Sequence, residues 1–236
     1  EEVPADVPVM LVYGGGSVKR NGVYDQVRAA LAGHDVCEFG GIEPNPRYET
    51  CMRAATQARQ AGVGFLLAVG GGSVLDAVKF IAVAAAYGEG DPWEVMEGRS
   101  PVTGALPLGA VMTLPATGSE MNCFSVITRD SSREKLAFSS PLVFPVFSVL
   151  DPETTFSLPM RQVENGIADT FAHVMEQYMC RADDTPLVAR QAEAVLLTLI
   201  EEAPKVKQDP KAYAVRANLM WCATVALNGS LGCGVA

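Results

Sequence analysis

The chain has 236 residues, 49% of them apolar and 19% charged, and a net charge of −9. That composition excludes a disordered tail, a collagen-like repeat and a mini-protein scaffold, and the length allows one or two domains with a real core. The acidic balance argues against a nucleic-acid or membrane-surface binder, because the overall field repels phosphates; a phosphate site here must be built locally, from backbone N–H groups or one placed lysine.

The opening Glu1-Glu2-Val3-Pro4-Ala5-Asp6 has neither the basic nor the apolar region of a secretory leader. No run approaches the roughly 18 apolar residues that span a bilayer. Cys37, Cys51, Cys123, Cys180, Cys222 and Cys233 form no C-x-x-C pair, so free, buried thiols and a cytoplasmic location are expected.

In chain order, residues 9–13 (Val-Met-Leu-Val-Tyr) read as a buried strand that runs into Gly14-Gly15-Gly16-Ser17. A helix follows, with Val23, Val27, Ala30 and Leu31 on one face. Residues 35–39 form a short strand, 40–46 a turn-rich connector and 48–61 a helix. Residues 65–69 are a second wholly apolar strand, again ending in glycines, and 73–86 continue as a helix. Strands that are apolar throughout, each followed by a helix, predict a parallel sheet covered on both faces.

Residues 106–114 carry another apolar strand, 125–128 and 136–138 a hairpin around polar 129–135, and 146–150 a strand ending at Asp151-Pro152. Beyond that the pattern is helical: 162–180, 187–202 with Pro186 in its first turn, and 212–227. A boundary near residue 155 follows, with an α/β domain over 1–155 and a helical domain over 156–236.

Val69-Gly70-Gly71-Gly72-Ser73-Val74-Leu75-Asp76 is the sharpest local signal. Glycines between a strand and a helix let backbone approach a ligand and aim free N–H groups and the positive helix end at a pyrophosphate. The alternative is a plain tight turn with Ser73 and Asp76 as a capping-box variant. Tyr13-Gly14-Gly15-Gly16-Ser17-Val18-Lys19-Arg20 repeats the arrangement with two cations nearby, or is a flexible loop with solvated charges. Two such loops in one open sheet would share the carboxyl edge, where ligands bind. Thr113, Thr117, Gly118 and Ser119 follow a third strand and either line that edge or merely cap and turn the chain. Asn45 sits in a turn of its own, and Lys135 reads as a solvated lysine.

Asp169 and His173, four apart in a helical pattern, leave the same face. A carboxylate and an imidazole suit Zn²⁺ or Fe²⁺; the other reading is an Asp–His hydrogen bond on a half-buried helix.

Taken together, these segments resemble the iron-containing, group III alcohol dehydrogenase family. The resemblance rests on Gly14-Gly15-Gly16-Ser17, Gly41-Ile42-Glu43-Pro44-Asn45-Pro46, Gly70 to Asp76, Thr113 to Glu120, Asp151-Pro152, Leu158-Pro159 and Glu164 to His173, in that order. It implies a Rossmann-like parallel-sheet domain followed by a helical one, in a dehydroquinate synthase-like fold. It also implies nicotinamide and divalent-metal cofactors, iron or zinc, a small alcohol or aldehyde substrate, and a possible homodimer. By position, Gly71, Gly72, Ser73 and Asp76 match the pyrophosphate loop; Asn45, Thr113, Thr117, Ser119, Asn122 and Lys135 match further cofactor contacts; Asp169 and His173 match the first two metal ligands. The family pattern uses two more histidines further along, whereas the only other histidine here is His34, so the resemblance implies a member cut short at both ends.

The first expectation is therefore hydride transfer between NADP(H) and an alcohol–aldehyde pair, with the metal as Lewis acid and no side chain assigned as a base. The second is a nucleotide-binding module without catalysis, since two protein ligands fall short of a catalytic metal site. NADP(H) is expected over NAD(H): the loop of Gly14, Gly15, Gly16 and Ser17 carries no acid to repel a 2′-phosphate, and Lys19 and Arg20 lie within reach. In the helical segment, Val195, Leu196, Leu197, Leu199, Ile200, Leu219, Met220 and Trp221 need partners.

Overall fold

The structure, a computed structural model, describes residues 2–180 and 185–232. A parallel five-stranded sheet runs in the order β2-β1-β3-β4-β7. Its strands are β1 (Val9–Tyr13), β2 (Val36–Phe39), β3 (Phe65–Gly71), β4 (Leu108–Leu114) and β7 (Phe147–Val149); β5 (Phe124–Arg129) and β6 (Glu134–Ser139) form a separate antiparallel hairpin. Between them lie α1 (Ser17–Arg20), α2 (Val23–Ala30), α3 (Tyr48–Gln60), α4 (Gly72–Ala86) and α5 (Trp93–Met96). The later helices are α6 (Met160–Met179), α7 (Pro186–Gln208) and α8 (Tyr213–Leu227). No helix among the described residues is long and apolar enough to cross a membrane.

The apolar strands are buried on both faces because alternate residues serve two cores. Met10, Val12, Leu66, Ala68, Leu108 and Ala110 join one, with α3 and α4. Val9, Leu11, Phe65, Leu67 and Val69 join the other, with Val23 and Val27 of α2 and Leu31. Ala30, expected on that helix face, is exposed; the face is set by the 23, 27, 31 spacing. Helix α4 is buried nearly all round, the pattern of a helix covered on more than one side. One side meets the sheet core; on another, buried Lys79 donates from Nζ to the Phe124 carbonyl of β5 at 2.9 Å.

By contacts the chain divides into two compact units, Glu1–Val111 with Cys123–Val149, and Met112–Asn122 with Leu150–Ala236. A single cut at residue 155 thus gives way to a division in which Met112–Asn122 goes with the helices. The cause is close packing: a Cβ on Gly166 of α6 would stand 2.5 Å from the Pro115 carbonyl oxygen, and one on Gly118 3.1 Å from the Ala223 carbonyl of α8. Thr224 of α8 also donates to the Glu120 carboxylate at 2.6 Å.

Helix α7 begins on Pro186 as expected but runs six residues beyond its expected end, through Pro204 to Gln208. A helix-interior proline costs about 3 kcal/mol; fully buried Val206, in a core with Leu199 and Leu219, offsets it.

Candidate functional site

In the sheet-containing unit the chain leaves β1, β2 and β3 through three glycine turns that interlock. The Gly41 N–H donates to the Gly14 carbonyl at 3.1 Å, and the Ile42 N–H to that of Tyr13 at 3.3 Å. A Cβ on Gly14 would stand 3.7 Å from Cγ2 of Val74, and one on Gly70 only 2.6 Å from the same methyl. The 14–17 and 70–73 loops therefore lie side by side at the carboxyl edge of neighbouring strands, as the two matching tetrapeptides predicted. Gly70 is required there because any side chain would collide with Val74.

Helix α4 starts at Gly72 with Gly71 as its N-cap and no side-chain cap. The Ser73/Asp76 capping box does not form, so the first-turn N–H groups keep their capacity for an anion. Asp76 turns instead to the hairpin. Its Oδ2 accepts the Val126 N–H at 3.1 Å, and its carbonyl accepts the Ser125 hydroxyl at 2.8 Å. Its carboxylate is thus a structural anchor for the hairpin. Lys135, read from the sequence as solvated, donates to Oδ1 of Asn45 at 2.9 Å. Asn45 holds a left-handed φ of 54°, which asparagine tolerates better than most residues. Two candidates 90 residues apart thus meet.

The two loop cations differ. Lys19 Nζ lies 3.6 Å from Oε2 of Glu38 and above the Tyr13 and Tyr24 rings, 4.7 and 4.4 Å from their centroids. Arg20 is exposed beside Gly16, its Nη1 4.0 Å from where a Cβ on that glycine would stand. Burial alone would raise the Glu38 carboxyl, but hydrogen bonds from Tyr24 and Tyr13 and the charges of Lys19 and Arg28 hold it below the usual carboxylate range.

The helical unit holds the remaining candidates. Thr113, Ser119 and Asn122 are buried and Thr117 is half-buried. Thr117 organises its own turn: its Oγ1 accepts the Ser119 N–H and its carbonyl accepts from Asn122 Nδ2, both at 3.4 Å. On α6, His173 Nε2 lies 3.9 Å from Asp169 Oδ1, too far for a hydrogen bond, and His173 Nδ1 is buried without a partner. The Asp–His hydrogen bond is therefore absent, and the pair presents two donor atoms on one face. Among the described residues no group of three His, Cys, Asp or Glu side chains is placed to hold a metal. His34 lies in the other unit, its Nε2 3.4 Å from the Val3 carbonyl. The five described cysteines are free thiols, two buried and three half-buried. Burial pushes the Cys222 thiol up to about 11; Cys233 lies outside the described residues.

Sequence reasoning missed the Glu38 cluster and a second one in which the Arg129 guanidinium lies 4.7 Å from the Tyr48 ring centroid and 2.9 Å from Asp91. It also missed Arg216, buried on α8 with Nη2 lacking a partner. Each residue reads locally as an ordinary charge on an amphipathic element.

The family model for iron-containing alcohol dehydrogenases matches residues 2–152, and the chain belongs to that family. Among individual proteins, it is 56% identical to the NADPH-dependent aldehyde reductase YqhD of Escherichia coli K12, over all of this chain and 61% of that protein. It is 47% identical to a probable NADH-dependent butanol dehydrogenase of Bacillus subtilis, over 96% of this chain and 59% of that one. The crystal structure of E. coli YqhD superposes with a TM-score of 0.95 over 99% of this chain and 60% of its own. The NADH-dependent butanol dehydrogenase A of Thermotoga maritima, 38% identical, gives 0.93 over 98% and 58%. The chain thus spans about three-fifths of the length of the curated relatives it matches.

Proposed function

We propose that this chain carries the nucleotide-binding part and two metal ligands of an enzyme that moves hydride between NADP(H) and an alcohol–aldehyde pair. The observation that carries the reading is the contact of two glycine loops through Val74 beside the uncapped start of α4. In this reading the N–H groups of Gly71, Gly72 and Ser73 receive the pyrophosphate, and the 14–17 loop receives the adenosine ribose. Asn45 and Lys135 act as one hydrogen-bonded unit toward the nucleotide. Thr113, Ser119 and Asn122 are buried and Thr117 is half-buried, which favours Thr117 among the four for contact with a ligand. Asp169 and His173 would hold a divalent metal, iron or zinc, which when bound supplies Lewis-acid polarisation of the carbonyl or alkoxide oxygen. NADP(H) is favoured over NAD(H) because the loop after β1 offers N–H groups, the Ser17 hydroxyl and Arg20, and no acid. The five free thiols support a cytoplasmic location. The family resemblance supports a homodimer.

The test is NADPH oxidation with butanal, with metal content measured on the same sample. Turnover with stoichiometric metal supports the reading. NADPH binding with metal but no turnover on any aldehyde or alcohol refutes the enzymatic part and leaves a nucleotide-binding module, the outcome that two protein ligands by themselves favour.

A further inference from the structure

We propose that Arg20, and not Lys19, is the cation that receives a 2′-phosphate at the 14–17 loop, and that Glu38 is a positioning residue that holds Lys19 away from it. The inference rests on the nucleotide reading above and adds which side chains set the cofactor preference.

Glu38 stands on β2 opposite Leu11 of β1. An acidic side chain some 20 residues after the first glycine loop of a dinucleotide-binding sheet ordinarily accepts the ribose 2′-hydroxyl and selects NAD. Here that carboxylate is already surrounded. Tyr24 donates to Oε1 at 2.5 Å and Tyr13 to Oε2 at 3.1 Å. Lys19 lies 3.6 Å from Oε2, and Arg28 4.0 Å from Oε1. A carboxylate offers about four lone-pair sites, and four groups face these two oxygens. The acid that would select NAD is thereby occupied, and its negative charge is compensated.

The same cluster removes Lys19 from the ligand. Its ammonium is paired with Glu38 and sits between two tyrosine rings, so turning it to a phosphate would break an ion pair and two cation–π contacts. Arg20 has no such commitment: its guanidinium is exposed and has no partner among the described residues. It lies beside Gly16, whose φ of +90° and missing side chain leave the space between loop backbone and guanidinium open. A planar guanidinium also matches phosphate with two parallel N–H donors, where an ammonium offers only a point charge.

The test is calorimetric binding of adenosine 2′,5′-bisphosphate and of 5′-AMP, which differ only in the 2′-phosphate, to the unaltered chain and to Arg20→Gln, Lys19→Gln and Arg20→Gln/Glu38→Gln. Arg20→Gln is expected to weaken the bisphosphate by about tenfold, the loss of one charge-assisted pair, and to leave AMP within about twofold. Lys19→Gln should leave the ratio of the two affinities unchanged. The double variant frees Lys19 and should recover about threefold of the lost bisphosphate affinity. A merely structural Glu38 would give no recovery. Selective loss in Lys19→Gln, an unchanged ratio in Arg20→Gln, or no recovery in the double variant would overturn the assignment while the nucleotide reading stands. Equal binding of both nucleotides by the unaltered chain also overturns it. Failure of the unaltered chain to bind either nucleotide removes the nucleotide reading itself, and this inference with it.

Discussion

In the sheet-containing unit Val9, Met10, Leu11, Val12 and Leu66 are wholly buried, and even the charged Lys79 is enclosed. In the helical unit Leu196, Leu199, Leu219 and Met220 are buried, but Leu197, Ile200 and Trp221 on the same helices are each more than half exposed. A strand covered on two faces buries every residue, whereas a helix in a small bundle buries only a stripe. The stretch 195–200, apolar except for Thr198, therefore divides in the structure into buried Leu196 and Leu199 and exposed Leu197 and Ile200. What differs between the units is how many sides of each element are covered, and that sets how much a given apolar residue stabilises.

The largest test of that contrast is truncation at matched apolar sites. Phe80→Ala removes a fully buried ring in edge contact with Tyr48 and Phe138 and should cost about 3–5 kcal/mol. Ile200→Ala should stay within about 0.5 kcal/mol. Urea unfolding followed by far-UV circular dichroism measures both, and equal losses would erase the distinction.

Limited proteolysis probes the same contrast without mutation. Cleavage should begin beyond about residue 155, in the unit with fewer fully buried side chains, and leave the sheet unit intact longer. Uniform resistance across 160–208 and 213–227 in a monomeric sample would show that the three helices close a core as protective as the sheet's.

Gly166→Ala sharpens the packing argument. Alanine is intrinsically better in a helix by up to about 1 kcal/mol, yet its Cβ would sit 2.5 Å from the Pro115 carbonyl oxygen. A net loss of about 1–3 kcal/mol is expected, read as a lower thermal midpoint. Gly88→Ala, with nothing within 4 Å, is the control.

Asp76→Ala should cost about 1–2 kcal/mol by leaving the Val126 N–H without its acceptor. Amide exchange should quicken first in β5 and β6; a uniform change across the sheet would mean the anchor is not local.

The smallest effect expected is a pH dependence. The Glu38 carboxyl is held below its ordinary 4.5 in the folded chain. Its stabilising contribution is therefore present above that pH and is lost as pH falls through the lower folded value. Glu38→Gln should flatten the acid limb of a stability–pH curve below about pH 4.5 and leave the curve near neutrality parallel to the original; an unchanged acid limb would refute the coupling.

Residues 9–13 and 65–69 announce their strands by continuous apolarity and 106–114 by a mostly apolar run that includes Thr113, and the glycines that follow the first two announce where backbone must come close to something. The Asp169/His173 spacing likewise declares a shared helix face. These are local signals, carried by period and by the absence of Cβ, and the sequence alone determines them. It does not determine where a polar side chain spends its hydrogen bonds. Asp76 reads as part of a glycine loop but anchors Val126, 50 residues on. Lys19 and Arg20 read as equivalent until Glu38, brought alongside by the β1–β2 register, takes one of them. Met112–Asn122 reads as the end of a strand and its turn but clusters with the helices, because Gly166 and Gly118 admit backbone to contact where any side chain would hold it off. Such choices depend on what distant segments bring within about 3 Å, the reach of a hydrogen bond, and only the tertiary structure makes them.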